Sequence, residues 1–288
     1  MASTIVLRRR ITSIKNTRQI TQAQQLVAAS KLRRAQEYAG KSRAYADLAQ
    51  ELLAKISGLS EVERQPLFKK REVKSRLYIV VTSNSGLAGA YNANVLKVLT
   101  NNLQTDRTDK VNSLVVTVGN KGAQFVRRLS DVDLRAAYSA FGDQPTANDL
   151  RPLLKQITDL YLAAEIDEVH VLYTRFVSTM TQRAEDQQLL PASAPENAGE
   201  AASFSNFEPD VETVIDQIGR RLIEAQLWQA LLESIASEHA MRMVAMKNAT
   251  DNAKDLIDDY TLELNTARQA AITQELAEIT GGAEALNG

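Results

Sequence analysis

From Asp210 to Thr280 the chain carries no proline and a single glycine, Gly219, and a seven-residue apolar rhythm runs through the whole stretch. Val211, Ile218, Ala225, Leu232, His239, Met246, Ala253, Tyr260 and Ala267 form one set. Ile215, Leu222, Gln229, Ala236, Met243, Thr250, Ile257, Leu264 and Ala271 sit four residues on from each. Only His239, Gln229 and Thr250 break the apolar rule. A repeat sustained this long is a coiled-coil seam, and such a seam needs a partner helix. At ~1.5 Å per residue the helix extends roughly 110 Å, whereas a globule of this chain length has a radius of gyration of only about 19 Å. The pattern therefore predicts a helix that protrudes, a mechanical or bridging part rather than a catalyst. Pro209 suits its first turn, Asp210 and Glu212 complement its N-terminal dipole, and Gly281-Gly282 is expected to stop it.

The six prolines stand at 66, 145, 152, 191, 195 and 209, so both ends of the chain are free of them. Residues Arg8 to Ile56 contain Gly40 as their one glycine, and Tyr45, Leu48, Ala49, Leu52, Leu53 and Ile56 give an amphipathic stripe. This helix is the natural antiparallel partner for the C-terminal one, shorter by about 25 residues, so the upper end of the C-terminal helix is expected to emerge alone. The middle reads as α/β: strands at 76–82, 114–118 and 168–174 alternate with helices near 92–103, 123–129 and 149–163. Alternation of this kind predicts a mostly parallel sheet flanked by helices, Rossmann-like in character. The expected organisation is a coiled-coil shaft from 1–58 and 207–288, an α/β domain at 74–192 and a mobile loop at 193–206.

Among 288 residues the net charge is −1 and cysteine is absent, which excludes a disulfide framework and thiolate metal sites and fits a reducing compartment. No apolar run approaches the ~20 residues of a membrane span. Charge is unevenly placed. Between Arg8 and Arg43 ten Lys or Arg residues face the single Glu37, while Asp251, Asp255, Asp258, Asp259 and Glu263 face Lys254. Basic helices bind nucleic acid, anionic lipid or acidic protein surfaces. Without interleaved aromatics the acidic protein surface is favoured, and a coiled-coil nucleic-acid arm remains the alternative.

Sites for chemistry are scarce. Gly86-Leu-Ala-Gly89 and Gly119-Asn-Lys-Gly122 follow strands, but both lack the Gly-Lys-Ser/Thr ending of a nucleoside-triphosphate loop and the triple glycine of a dinucleotide loop. They read as tight turns; a small α/β enzyme with a ligand at Gly86–Gly89 is the rival reading. His170 and His239 have no His or Cys neighbours in sequence and read as packed histidines, the acids at 251–263 as a solvated face or charge partner, and Met241, Met243 and Met246 as helix packing. No nucleophile–base–acid set emerges, and neither a catalytic residue nor a cofactor or metal ligand is assigned.

Several segments nevertheless resemble one family. Arg10-Ile-Thr-Ser-Ile-Lys-Asn-Thr17, Gln19-Ile-Thr21, Val27-Ala-Ala-Ser-Lys-Leu32 and Gly86-Leu-Ala-Gly-Ala-Tyr-Asn92 look like the gamma subunit of rotary F-type ATP synthases of bacterial type. So do Phe207-Glu-Pro209, Ser237-Glu-His-Ala-Met-Arg-Met-Val-Ala-Met246, Ala249-Thr-Asp-Asn252 and Ala267-Arg-Gln-Ala-Ala-Ile-Thr-Gln-Glu275. The resemblance implies an antiparallel coiled coil inside a hexamer of alpha and beta subunits, a foot on the epsilon subunit and the membrane c-ring, and proton-driven rotation coupled to ATP synthesis and hydrolysis. It implies a non-catalytic subunit without nucleotide, cofactor or nucleic acid, held at the cytoplasmic face of the bacterial plasma membrane only through the complex. By the same resemblance Arg268, Gln269 and Thr273 meet the catch loops of the hexamer. Ala270, Ala271, Ile272, Leu276 and Ile279 form the apolar tip in its upper bearing, and Phe207 and Glu208 approach the c-ring. The family pattern usually has Lys and Met where Gln22 and Gln24 stand, and Asp followed by Arg or Lys where Asn84-Ser85 stand. No counterpart of the regulatory cysteine insertion of the chloroplast form is present, so no thiol switch is expected.

Overall fold

The structure, a computed structural model, describes residues 4–56, 65–142, 145–192 and 210–287. The loop at 193–206, the pair Phe207 and Glu208, and Pro209 lie outside the described residues, as do the side chains of the 45–56 stripe apart from exposed Leu48. The elements in chain order are α1 (Thr4–Ile56), β1 (Ser75–Val81), α2 (Tyr91–Asp109), β2 (Asn112–Val118), α3 (Asn120–Val126) and β3 (Asp133–Tyr138). They continue with α4 (Ala147–Leu162), β4 (Glu168–Phe176), β5 (Gln182–Leu190) and α5 (Val211–Asn287). Contacts gather these elements into two compact units, residues 28–242 and residues 1–27 with 243–288.

The larger unit is built on a five-stranded sheet ordered β3-β2-β1-β4-β5. β1 pairs in parallel with β2 and β4, β2 with β3, and β5 returns antiparallel to β4. The mostly parallel expectation holds, with one antiparallel edge. Helices cover both faces, so the central strands carry continuous apolar stretches, Leu77–Val81 in β1 and Leu114–Val116 in β2, buried on both sides. Tyr78 and Val80 of β1 point with Val115 and Leu172 into a cluster with Val95 and Leu99 of α2 and Val126 of α3. Leu77, Ile79 and Val81 point the other way, onto Leu150, Leu153, Ile157 and Tyr161 of α4 and onto Ile215, Leu222, Ile223, Leu227, Ala230 and Leu231 of α5. The lower part of α5 is thus a wall of the α/β core as well as a carrier of the seam.

Two strands escaped the sequence reading. β3 and β5 are sheet edges, and their composition hides them: β5 is Gln-Arg-Ala-Glu-Asp-Gln-Gln-Leu-Leu, buried only at its last two residues. The expected stop at Gly281-Gly282 is a correction, because α5 continues through both to Asn287. Glycine ends a helix by taking a left-handed conformation. Among the described residues Gly89 and Gly119 are the positive-φ glycines, and neither Gly281 nor Gly282 is among them. At the other end Asp210 caps α5 as the charge pattern suggested: its carboxylate accepts from the Thr213 N–H at 2.8 Å and the Thr213 hydroxyl at 2.9 Å. Those bonds, the backbone one foremost, hold its pKa below the ordinary aspartate value.

Buried charge in this unit is paired. Asp106, fully buried, accepts from Tyr78 at 2.8 Å, Ser113 at 2.7 Å and the Arg76 guanidinium, whose Nε donates to Glu168 at 2.7 Å. These bonds join α2, β1, β2 and β4 and replace the water each charge gives up. The Gly119 turn is equally constrained: at φ 109° a Cβ there would lie 2.1 Å from the Thr82 carbonyl oxygen.

In the smaller unit α1 and α5 pair in opposite directions. Thr21 and Thr250 share a hydroxyl–hydroxyl bond at 2.8 Å, and the Arg10 guanidinium lies 5.8 Å from the Tyr260 ring centroid. Leu7, Ile11 and Thr21 of α1 are buried, as are Met246, Ala253 and Ile257 of α5.

Two glycine substitutions separate these cases. Gly119→Ala is expected to destabilise the chain by about 2 kcal/mol or more, from strain and a backbone clash. Gly281→Ala, with no heavy atom within 4 Å of the new methyl, is expected to be neutral or to raise helix stability by about 0.5–1 kcal/mol. Chemical denaturation followed by far-ultraviolet circular dichroism measures both.

Candidate functional site

Doubly wound sheets bind ligands at the carboxyl ends of their strands, where the winding direction changes. Here that point lies between β1 and β4, and side chains of α5 occupy it. Ser234 Oγ pairs with the Tyr91 hydroxyl at 2.7 Å and receives the Thr174 N–H at 3.4 Å. One turn on, Ser237 donates to the Thr174 carbonyl at 3.0 Å. Burial pushes the Tyr91 pKa far above the ordinary tyrosine value, so the hydroxyl stays neutral. Arg242 completes the row: Nη1 holds Glu238 at 2.7 Å, and Nη2 donates to Ser85 Oγ and the Gly86 carbonyl at 3.3 Å each.

The Gly86–Gly89 turn is therefore a tether for α5. Gly119–Gly122 is a packing turn: Thr82 Oγ1 accepts the Gly122 N–H at 2.8 Å. The residues that tie α5 down, Ser234, Ser237, Arg242 and Tyr91, were not singled out from the sequence. Their signal was available as Ser234 and Ser237, three apart on a helix flank that is otherwise apolar.

The remaining candidates fall into packing or solvent. His170 Nδ1 lies 2.7 Å from Asp186 Oδ1, and His239 is buried with Nδ1 3.4 Å from Arg242. Asp251, Asp255, Asp258, Asp259 and Glu263 are all exposed. Among the described residues no group of three or more His, Cys, Asp or Glu side chains could hold a metal ion. Met246 is buried, and Met241 and Met243 are half-buried.

Burial along α1 reveals a heptad that the sequence reading missed. Leu7, Ile11, Ile14, Arg18, Thr21, Gln25, Ala28, Leu32 and Ala35 are its covered positions. Arg18, Thr21 and Gln25 disguise the apolar rhythm. Arg8, Arg9, Arg10, Lys15, Arg33 and Arg34 remain exposed. The Thr21–Thr250 and Arg10–Tyr260 contacts fix the register, and continuing it sets Thr4 near Thr266. The α5 residues beyond are open. Arg268, Gln269, Ala271 and Thr273 are exposed and Ala270 is half-buried, while Ile272, Leu276 and Ile279 expose 45%, 57% and 67%. The eight hexamer-facing residues implied by the resemblance thus share one exposed helical segment; Phe207 and Glu208 fall outside the described residues.

The unusual residues have places too. Gln22 is exposed and Gln24 half-buried. Asn84 Oδ1 accepts from the N–H groups of Asn120 at 3.2 Å and Ala140 at 2.9 Å, and Nδ2 donates to the Ala140 carbonyl at 3.1 Å. An aspartate could not make the last bond. Ser85 gives Arg242 an acceptor where a Lys or Arg would add a second cation.

Comparison with known proteins bears on the whole chain. A family model described as ATP synthase matches residues 3–286. The ATP synthase gamma chain of Acidithiobacillus ferrooxidans is 41% identical over 289 residues, covering 99% of this chain and 100% of that one. That of Ralstonia nicotianae is 42% identical with the same coverage. The chain belongs to the ATP synthase gamma-chain family. Solved rotors share the fold at lower identity. A central-stalk chain of the Tetrahymena thermophila mitochondrial ATP synthase superposes with a TM-score of 0.65 at 24% identity, covering 80% of this chain and 99% of that one. A rotor chain from Euglena gracilis gives 0.64 at 18%, covering 93% and 98%. The full-length match to gamma chains supersedes the nucleic-acid arm and the small-enzyme readings.

Within this chain the covered seam and the open end should respond differently to substitution. Ala253→Trp overpacks a buried position and is expected to cost about 1–3 kcal/mol. Ile272→Asn, at an exposed one, is expected to stay within about 0.5 kcal/mol. Thermal melts of the purified chain distinguish them, and equal losses would contradict the burial pattern.

Proposed function

We propose that the chain is the central rotor stalk of a proton-translocating F-type ATP synthase and carries rotation of the membrane c-ring to the catalytic alpha/beta hexamer. The observation that carries this reading is the full-length identity of about 41% to gamma chains. In it the chain itself is non-catalytic; alpha and beta subunits surround the paired helices, and epsilon and the c-ring meet the other end. Attachment is peripheral, at the cytoplasmic face of the bacterial plasma membrane. That no described helix is long and apolar enough to cross a membrane accords with it.

The mechanism follows from asymmetry. Chemically identical catalytic sites differ in affinity only when something touches them differently, and a partner with equal affinity for all conformations shifts nothing. Two paired helices of unequal reach present a different side to each site. Ala270, Ala271, Ile272, Leu276 and Ile279 offer the hexamer an apolar tip with few directional bonds, able to turn in an apolar sleeve. Arg268, Gln269 and Thr273 offer polar groups that engage hexamer loops at particular angles. Phe207 and Glu208 are assigned to the c-ring side.

Reconstitution with purified alpha and beta subunits tests this reading. The chain is expected to join them as one copy per hexamer. Arg268→Ala combined with Gln269→Ala is expected to lower ATP hydrolysis by about five- to tenfold, the rate equivalent of roughly 1–1.4 kcal/mol of lost contact. Truncation after Thr273 is expected to preserve assembly, since it leaves the paired seam intact. Failure of the unaltered chain to assemble, or loss of assembly on truncation, contradicts the proposal.

A further inference from the structure

Along the smaller unit, exposed side chains recur at the three- and four-residue intervals that keep them on one side of a helix. On α1 the row runs from Ile5 through Arg8, Thr12, Lys15 and Gln19 to Leu26 and contains no acid. On α5 it runs from Asn248 through Asp251, Asp255 and Asp258 to Leu262 and contains no cation. Ile5, Leu26 and Leu262, at the ends of the rows, are each more than half exposed. The register of the Thr21–Thr250 and Arg10–Tyr260 contacts sets Thr12 level with Asp258, Lys15 with Asp255 and Gln19 with Asp251, to within about one residue. Both rows face away from the covered seam, and among the described residues Arg8, Lys15, Asp251, Asp255 and Asp258 have no ion-pair partner.

Opposite charges that match in level but do not meet inside one coil can meet between two. Counted from the covered positions, both rows lie toward the same side of the helix pair. A second copy laid against that side, pointing the same way, brings each α1 row onto the α5 row of the other at equal levels. The contact then occurs twice about a twofold axis along the coil, as a self-complementary interface requires. The rows extend about 30 Å, and two helix contacts ~8–10 Å apart cover roughly 600 Å2 per copy, the low end of the range for a specific interface. A nucleic acid fits less well, because the aspartates beside the basic row repel a polyanion. We propose that this face pairs the free chain with a second copy of itself, Arg8 and Lys15 of each meeting Asp255 and Asp258 of the other, with Ile5, Leu26 and Leu262 losing water at the ends. Under the reading proposed above, alpha and beta subunits surround these same helices, so the dimer is a state of the chain before assembly. The pairing itself does not rest on that reading.

Sedimentation equilibrium of the full chain at about 50 mM salt tests the pairing. The expected result is a reversible monomer–dimer equilibrium with a Kd in the micromolar range, weakened at least about tenfold at about 1 M salt, where the Debye length falls to ~3 Å. Arg8→Glu with Lys15→Glu is expected to leave a monomer, and so is Asp255→Lys with Asp258→Lys. All four positions are exposed, so both variants are expected to keep the native circular dichroism. Mixed in equal amounts, the two variants are expected to dimerise again, since each offers the row that the other lacks. A chain that stays monomeric up to about 100 µM at low salt, an association indifferent to these charges, a mixture that stays monomeric, or a dimer that nuclease treatment removes would overturn the proposal.

Discussion

A helix that runs from Val211 to Asn287 cannot keep one environment along its length, and the structure turns on how its faces are covered. Up to Ala240 buried residues stand on nearly every side: Ile215, Leu222 and Ala225 on the seam, Ile223, Leu227, Ala230 and Leu231 against the sheet. At Met246, Ala253 and Ile257 burial narrows to one seam, and past Ala267 almost none is left. Apolar burial at ~25 cal/mol per Å2 favours the first two regimes. The third keeps its helix without packed neighbours among the described residues.

Polar bonds turn this burial into a defined attachment. Apolar contact is non-directional, so Leu227 and Leu231 alone would tolerate sliding along the sheet. Ser234 and Ser237 both address Thr174, and Tyr91 and Arg242 reach α5 from or toward the β1–α2 connection. Each is worth only about 0.5–1.5 kcal/mol, yet a shift by one residue would leave several buried donors and acceptors unpaired. The crevice that a doubly wound enzyme keeps open for its substrate is spent here on holding a helix. Such an attachment suits a protein whose proposed task is to transmit torque.

Much of this was legible in the chain. The heptad rhythm of α5, the proline-free N-terminal helix and strands at 76–82, 114–118 and 168–174 follow from periodicity and composition, within two residues of the observed 75–81, 112–118 and 168–176. What stayed hidden has physical reasons. Along the covered face of α1 stand Arg18, Thr21 and Gln25, whose polarity masks a regular three–four spacing. β3 and β5 are edges with half their surface in water, so hydrophobic pattern does not mark them. Gly281 and Gly282 look like a stop, yet glycine permits a helix as well as ending one. The eight residues proposed to meet the hexamer came from family resemblance, and burial adds that they lie on one open segment. No periodicity argument could have linked Ser234 to Tyr91, because that bond joins positions 143 residues apart.

The antiparallel register of the two chain ends carries the account, and the absence of native cysteine allows a clean measurement of it. Thr21→Cys with Thr250→Cys replaces hydroxyls 2.8 Å apart, within reach of a disulfide with Cβ atoms ~3.5–4.5 Å apart. Mild oxidation of the dilute chain is predicted to close that pair rapidly within one molecule, while Thr21→Cys with Thr261→Cys, out of register, stays reduced. Equal reactivity of the two pairs, or cross-linking only between molecules, would contradict the pairing of the ends and the rotor reading built on it.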